Sequence, residues 1–172
     1  MTDPLGIYLQ DHLAGATLGL ELLERSRRNN EGTRLAAPLT ELAAEIGADR
    51  ETLLAVMRDA GATPSRLKIT VAWALEKAQR LKPNGRLVGY TPLARVEELE
   101  SLAVGIGGKL AMWRALDELS AAGRPVGGHD FPALAERAEA QLRKVEGLRI
   151  EAARAAFVHE SRAPTKTEPQ GP

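Results

Sequence analysis

Cysteine is absent from the 172 residues, which excludes disulfides, thiolate nucleophiles and Cys-based zinc or iron–sulfur sites. Histidine occurs only three times, too rarely to build a His-rich metal centre. Aromatic residues make up 3% of a chain that is 44% apolar. Its core must therefore come from Leu, Ala, Val and Ile, a composition that favours helices over sheets. Neither sign of charge is in excess: 23 Lys and Arg balance 23 Asp and Glu, so overall electrostatics suggest neither nucleic acid nor an anionic membrane as partner. No stretch reaches the roughly 18 apolar residues of a membrane span, and no apolar run follows the start Met1-Thr2-Asp3-Pro4. The expectation is a soluble, cytoplasmic protein without integral membrane association, folded as one domain.

What is present is a set of helix signals. Asp3-Pro4, Thr63-Pro64 and Thr91-Pro92 each pair a capping side chain with a proline, and Asp130 precedes Phe131-Pro132; a proline there gives up an N–H that a first turn leaves unpaired anyway. Stops are marked by Asn29-Asn30-Glu31-Gly32, Gly61, Pro83-Asn84-Gly85 and Gly123. These signals predict five helices, over 4–28, 36–60, 65–81, 93–122 and 131–159. The second is capped by Thr33 with a local kink, or starts nearer Ala36, because Pro38 would fall in the second turn of a helix capped by Thr33. The four long segments carry apolar stripes at spacings of three and four, such as Leu9, Leu13, Ala16, Leu20 and Leu23 in the first, or Leu99, Leu102, Ile106, Leu110, Trp113 and Leu116 in the fourth. Such stripes bury most economically against one another. The fold expected is all-α, a four-helix bundle over residues 1–160, followed by a disordered tail at 161–172.

Short turns join the first and second helices and the last two, whereas residues 61–92 separate the second long helix from the third. A connection of that length can travel the bundle, and the short helix lies within it. With this order, and with the runs Tyr8-Leu9-Gln10-Asp11-His12-Leu13-Ala14-Gly15-Ala16-Thr17 and Leu42-Ala43-Ala44-Glu45-Ile46-Gly47-Ala48-Asp49, the chain resembles the ferritin-like superfamily, specifically a small bacterial branch without the di-metal motifs. The resemblance covers about residues 4–158 and implies a ferritin-like four-helix bundle with a short helix in the crossover. Best-known relatives hold di-iron or di-manganese with one Glu from each of two helices and Glu-x-x-His from each of the other two. Here Leu9, Val126 and Ala156 stand three residues before His12, His129 and His159, so that chemistry does not carry over.

Each long stripe is interrupted by a polar residue: His12, Asp49, Lys109 and Gln141. His12 and Asp49 stand 20 and 17 residues from the turn at Gly32, and Lys109 and Gln141 each 16 from Pro125, which places the four in one inward layer about a turn thick; Glu45 can join it. The favoured reading is a buried polar cluster in which Lys109 pairs Asp49 or Glu45, with no metal and no cofactor, because unpaired buried charges are expensive. The alternative is a non-standard iron or manganese site of His12, Glu45 and Asp49, against which the neighbouring ammonium argues. In a third reading Lys109 snorkels outward and there is no layer.

Gly105, Gly107 and Gly108 lie within a helix, where each costs roughly 0.5–1 kcal/mol against Ala. A close helix contact, within the bundle or across a homodimer, is the expected compensation. The crossover carries Arg66, Lys68, Lys77, Arg80, Lys82 and Arg86 against Glu76, a local net of +5; its apolar face is expected to pack on the bundle. Docking to a membrane surface or acidic partner is the alternative. The serines at 26, 65, 101, 120 and 161 show no nucleophile motif, and the pairs Glu97-Glu98 and Glu136-Glu139 are read as solvated surface charge. The functional expectation is a non-enzymatic interaction or stress-associated accessory protein that forms a homodimer. A metal-binding oxidoreductase or a surface-binding module are the alternatives.

Overall fold

The computed structural model describes residues 3–62 and 90–159. They form four α-helices, and among the described residues there is no strand: α1 Pro4–Asn29, α2 Ala36–Asp59, α3 Pro92–Ala121 and α4 Phe131–His159. The expected helix at 65–81, the basic face Arg66, Lys68, Lys77, Arg80, Lys82 and Arg86, and the tail at 161–172 lie outside the described residues.

Local chemistry explains where the helices start. The Asp3 carboxylate accepts from the N–H groups of Leu5 and Gly6 at 3.2 and 3.3 Å, Thr91 Oγ1 accepts from Ala94 at 3.1 Å, and Asp130 accepts from Ala133 at 3.0 Å. Each such cap contributes about 1 kcal/mol. Helix α2 starts without a side-chain cap after Leu35. Its Pro38 falls in the first turn, where no N–H is needed, while Thr33 Oγ1 accepts from Leu35 at 3.2 Å and shapes the preceding turn. After α3 the chain reverses through Gly123 (φ 84°) and Gly127 (φ 67°), conformations open to Gly with no Cβ penalty.

Contacts at the helix ends fix their directions. At one end Ala62 packs beside Gly6, Asp59 meets His129 at 2.8 Å and Arg124 reaches Asp3 at 3.8 Å. At the other, Asn30 donates to Tyr90 at 3.0 Å, Arg25 pairs with Glu98 at 3.0 Å and Arg34 pairs with Glu151. Helices α1 and α4 therefore run one way and α2 and α3 the other, and Ala62 and Tyr90 stand at opposite ends of the bundle.

Among the described residues the interior consists of two apolar clusters. One gathers Leu9, Leu13, Leu53, Val56, Met57, Met112, Trp113, Leu116, Phe131 and Ala138; the other gathers Leu23, Leu39, Leu42, Ile46, Leu99, Leu102, Ile106, Val145 and Ala152. Along α2 the first begins at Leu53 and the second ends at Ile46. Asp49 lies between them, as Lys109 does on α3 and Gln141 on α4.

Candidate functional site

At the height where the two apolar clusters meet, each of α2, α3 and α4 presents one polar residue inward. Asp49 and Gln141 are 2% and 1% exposed, so each of their polar atoms needs a partner inside the protein. Lys109 Nζ donates to both Asp49 Oδ2 and Gln141 Oε1, and Gln141 Nε2 donates to Asp49 Oδ2 at 3.1 Å. The remaining carboxylate oxygen, Oδ1, takes an ion pair from Arg137. The Gln141 amide is thus oriented from both sides, and the Asp49 carboxylate carries three donors. The Lys109 side chain keeps only 13% of its exposure. That burial holds its pKa below the usual lysine value; Asp49 and Glu45 oppose the shift and Arg137 adds to it.

Two predicted members of the layer stand apart from this cluster. Glu45, one turn before Asp49 on α2, stays partly exposed at the edge of the layer, where its carboxylate accepts from Lys144 of α4 at 3.2 Å. His12 stays on α1 with its ring edge-on to Tyr8, 4.6 Å between centroids; burial lowers its pKa against the pull of Asp11. Arg137, which the sequence pattern sets on the outer face of α4, sits one turn before Gln141 and reaches inward along its stem while its side chain stays 40% exposed. Among the described residues no group of three or more His, Cys, Asp or Glu side chains is placed to hold a metal ion. The layer's single buried carboxylate is already shared by an ammonium and a guanidinium, an arrangement unlike the carboxylate-rich set that a di-metal centre needs.

On the α1 side the layer is open. Helix α1 supplies Gly15, Ala16 and Gly19 here, and α3 supplies Gly105 and Gly108, so the two helices leave a cavity of about 320 Å³ between them. Its walls are mostly apolar, with Ile46, Leu53, Leu102, Ile106 and Met112; the charged groups on them are Asp11, Asp49, Arg50 and Lys109, beside Tyr8, His12, Ser101 and Trp113. The Trp113 Nε1 donor is buried and has no hydrogen-bond partner.

The glycines of α3 are where the structure departs from expectation. A Cβ built on Gly105, Gly107 or Gly108 would meet nothing within 4 Å, and the same holds for Gly15 and Gly19. Among the described residues no other helix approaches them closely. Gly105 and Gly108 line the cavity instead, and empty space takes the place of the side chains that an ordinary stripe would have put there.

A second polar cluster lies at the other end and revises the reading of Glu98 as surface charge. Glu98 is 8% exposed; it accepts from Arg25 Nε at 3.0 Å and from the Tyr90 hydroxyl at 2.9 Å, and that hydroxyl accepts from Asn30 Nδ2 at 3.0 Å. This network ties Tyr90, at the entry to α3, to the end of α1. No family model, curated protein or solved structure matches the chain.

Proposed function

We propose that the chain is a ferritin-like bundle without a di-metal centre, and that it acts by binding a small, largely apolar molecule rather than by catalysis. The helix directions support the ferritin-like plan: Ala62 and Tyr90 stand at opposite ends, so the chain between them joins opposite ends of the bundle, and the cavity lies in the middle layer. The observation that carries the binding reading is the cavity between α1 and α3, about 320 Å³ in volume and lined by five small residues and an apolar wall. A well-packed interior holds few voids larger than a water molecule, and pockets for small molecules are concave, mainly apolar and marked by a few polar groups. Ion pairs fill the layer that a di-metal protein gives to its metal, which supports a binding role without metal or other cofactor. As an accessory binding protein, it would present or sequester its ligand for a partner.

The test uses the indole in the cavity wall. In a Trp73→Phe chain Trp113 is the sole tryptophan, and titration with 1-octanol should shift its emission saturably. Gly105→Leu, which grows a side chain into open space, should abolish the response without loss of fold. An octanol response unchanged by Gly105→Leu contradicts the reading.

A further inference from the structure

The charged groups on the cavity wall balance: two carboxylates, Asp11 and Asp49, stand with two cations, Arg50 and Lys109. An occupant therefore needs to bring no charge of its own, and the rest of the wall is mostly apolar. Among the described residues on that wall Lys109 carries the one primary amine. Such a nitrogen becomes a nucleophile once it loses a proton, which a guanidinium in a protein does not.

Lysine is the scarcer cation in this chain, with six lysines against 17 arginines. A purely structural ion pair is served at least as well by arginine, whose planar fork suits a carboxylate and whose charge survives burial. Arg137 already fills that part at Asp49 Oδ1. Lys109 pairs with the other oxygen, Oδ2, and its side chain keeps 13% of its exposure. Asp49 and Gln141 accept from its Nζ and hold it in one place, which uses two of the three N–H positions of an ammonium. Burial, joined by the Arg137 charge, holds its pKa below the usual lysine value against the pull of Asp49, so more of it is free amine than of a surface lysine.

Resting on the binding reading above, we propose that Lys109 captures a medium-chain aliphatic aldehyde in the cavity as a reversible imine, the tail lying in the open space beside Gly105 and Ile106. The Nζ lone pair attacks the carbonyl carbon and forms a C–N bond, and the carbonyl oxygen takes up a proton. The carbinolamine then loses that oxygen as water while the C=N bond forms. Of the three ammonium hydrogens two leave in the water and one stays on the nitrogen, so an ammonium and an aldehyde give a protonated imine and water, with no oxidant or reductant. Charge is conserved, and Asp49 keeps its counter-ion. Acyl transfer to the same nitrogen would instead leave a neutral amide beside a buried carboxylate, at a cost. An alcohol or a hydrocarbon offers the nitrogen no electrophilic carbon, and a carboxylate would add a charge to a balanced wall. The volume of about 320 Å³ lies at the small end of ligand pockets.

The experiment incubates the full chain with octanal and cyanoborohydride, which reduces an imine to a stable secondary amine, and locates the modified residues by peptide mass mapping. Lys109 should be modified about tenfold or more faster than the mean of the other five lysines, because the cavity holds the aldehyde against a desolvated amine. Lys109→Arg keeps the charge and removes the amine; it should abolish the fast phase and leave the 1-octanol response in place. Lys109→Gln serves in the same comparison should the Arg variant not fold. Gly105→Leu, which fills the space beside the lysine, should slow Lys109 to the rate of the other lysines. Equal modification of all six lysines, a fast phase that persists in Lys109→Arg, or a Lys109 rate unchanged by Gly105→Leu overturns the imine assignment; an intact octanol response then leaves the binding reading standing. If octanal does not single out Lys109 and octanol does not bind, both readings fall.

Discussion

Removing the Asp49 carboxylate should damage the protein far more than removing the lysine it pairs with. In Asp49→Ala an ammonium that retains only 13% of its exposure loses its counter-ion, the Gln141 amide loses an acceptor, and Arg137 is left to swing toward solvent. Breaking a buried pair in this way costs about 3–5 kcal/mol, out of a total stability of roughly 5–15 kcal/mol for a domain. At roughly 2–4 °C per kcal/mol for a chain of this size, the midpoint should drop by roughly 6–20 °C. In Lys109→Met the carboxylate keeps Arg137 and Gln141, the aliphatic stem is replaced in kind, and the main loss is an unsatisfied Gln141 Oε1, about 1–3 kcal/mol. The double variant Asp49→Ala/Lys109→Met should be more stable than the sum of the two effects predicts, by roughly 0.5–3 kcal/mol of coupling. Urea unfolding followed by helical circular dichroism measures all three. The sign with pH follows from the lysine. Its pKa in the folded chain lies below the unfolded value, so between the two the unfolded state binds more protons and stability rises with pH. The titratable and charged groups around Lys109 are Asp49 and Glu45 from α2, Arg137 from α4, and Asp11, His12 and Arg50 on the cavity wall. Without Asp49 the depression deepens, so the deficit of Asp49→Ala should shrink toward pH 10. A loss under about 1 kcal/mol, strict additivity in the double variant, or a deficit that grows with pH would refute this account of the layer.

Three further outcomes follow from particular side chains. Gly107→Ala, whose Cβ meets nothing within 4 Å, should stabilise the chain by about 0.5–1 kcal/mol in the same unfolding assay; a loss would point to a contact made only between chains. Tyr90→Phe should cost about 1–3 kcal/mol, because Glu98 loses a donor and Asn30 an acceptor where both are buried; no change would mean that the network does not secure the entry to α3. His12→Gln should flatten the pH dependence of stability below about pH 6.5, since burial lowers the His12 pKa and charging it on acidification then disfavours the folded state; an unchanged pH profile would exclude that role.

The helices were largely legible because their signals are local. Asp3, Thr91 and Asp130 cap the helices they precede, and the periodic stripes lie where the two core clusters form. The inward layer was legible in height, since counting residues from a turn fixes the distance along a helix. Direction around the helix is harder to read. Four residues advance 400°, so Glu45 is turned by about 40° from Asp49, enough to send it to Lys144 rather than into the layer. Arg137 was hidden for a related reason: a long stem lets its charge act inside while its backbone position reads as outside. Glu98 follows an acidic neighbour and looks like surface, and only the Tyr90 and Arg25 partners reveal its burial. The cavity was present in the sequence as glycines on two helices, but spacing cannot distinguish glycines that admit a neighbour from glycines that leave space.

Ion pairs, not metal, are proposed to occupy the polar layer between the two apolar clusters. The most direct measurement is elemental analysis of the untagged protein, purified after expression with iron, manganese and zinc supplied. An ion-paired layer should yield far less than one metal ion per chain, with no change in Asp49→Ala. A near-stoichiometric metal content that disappears in Asp49→Ala would contradict it.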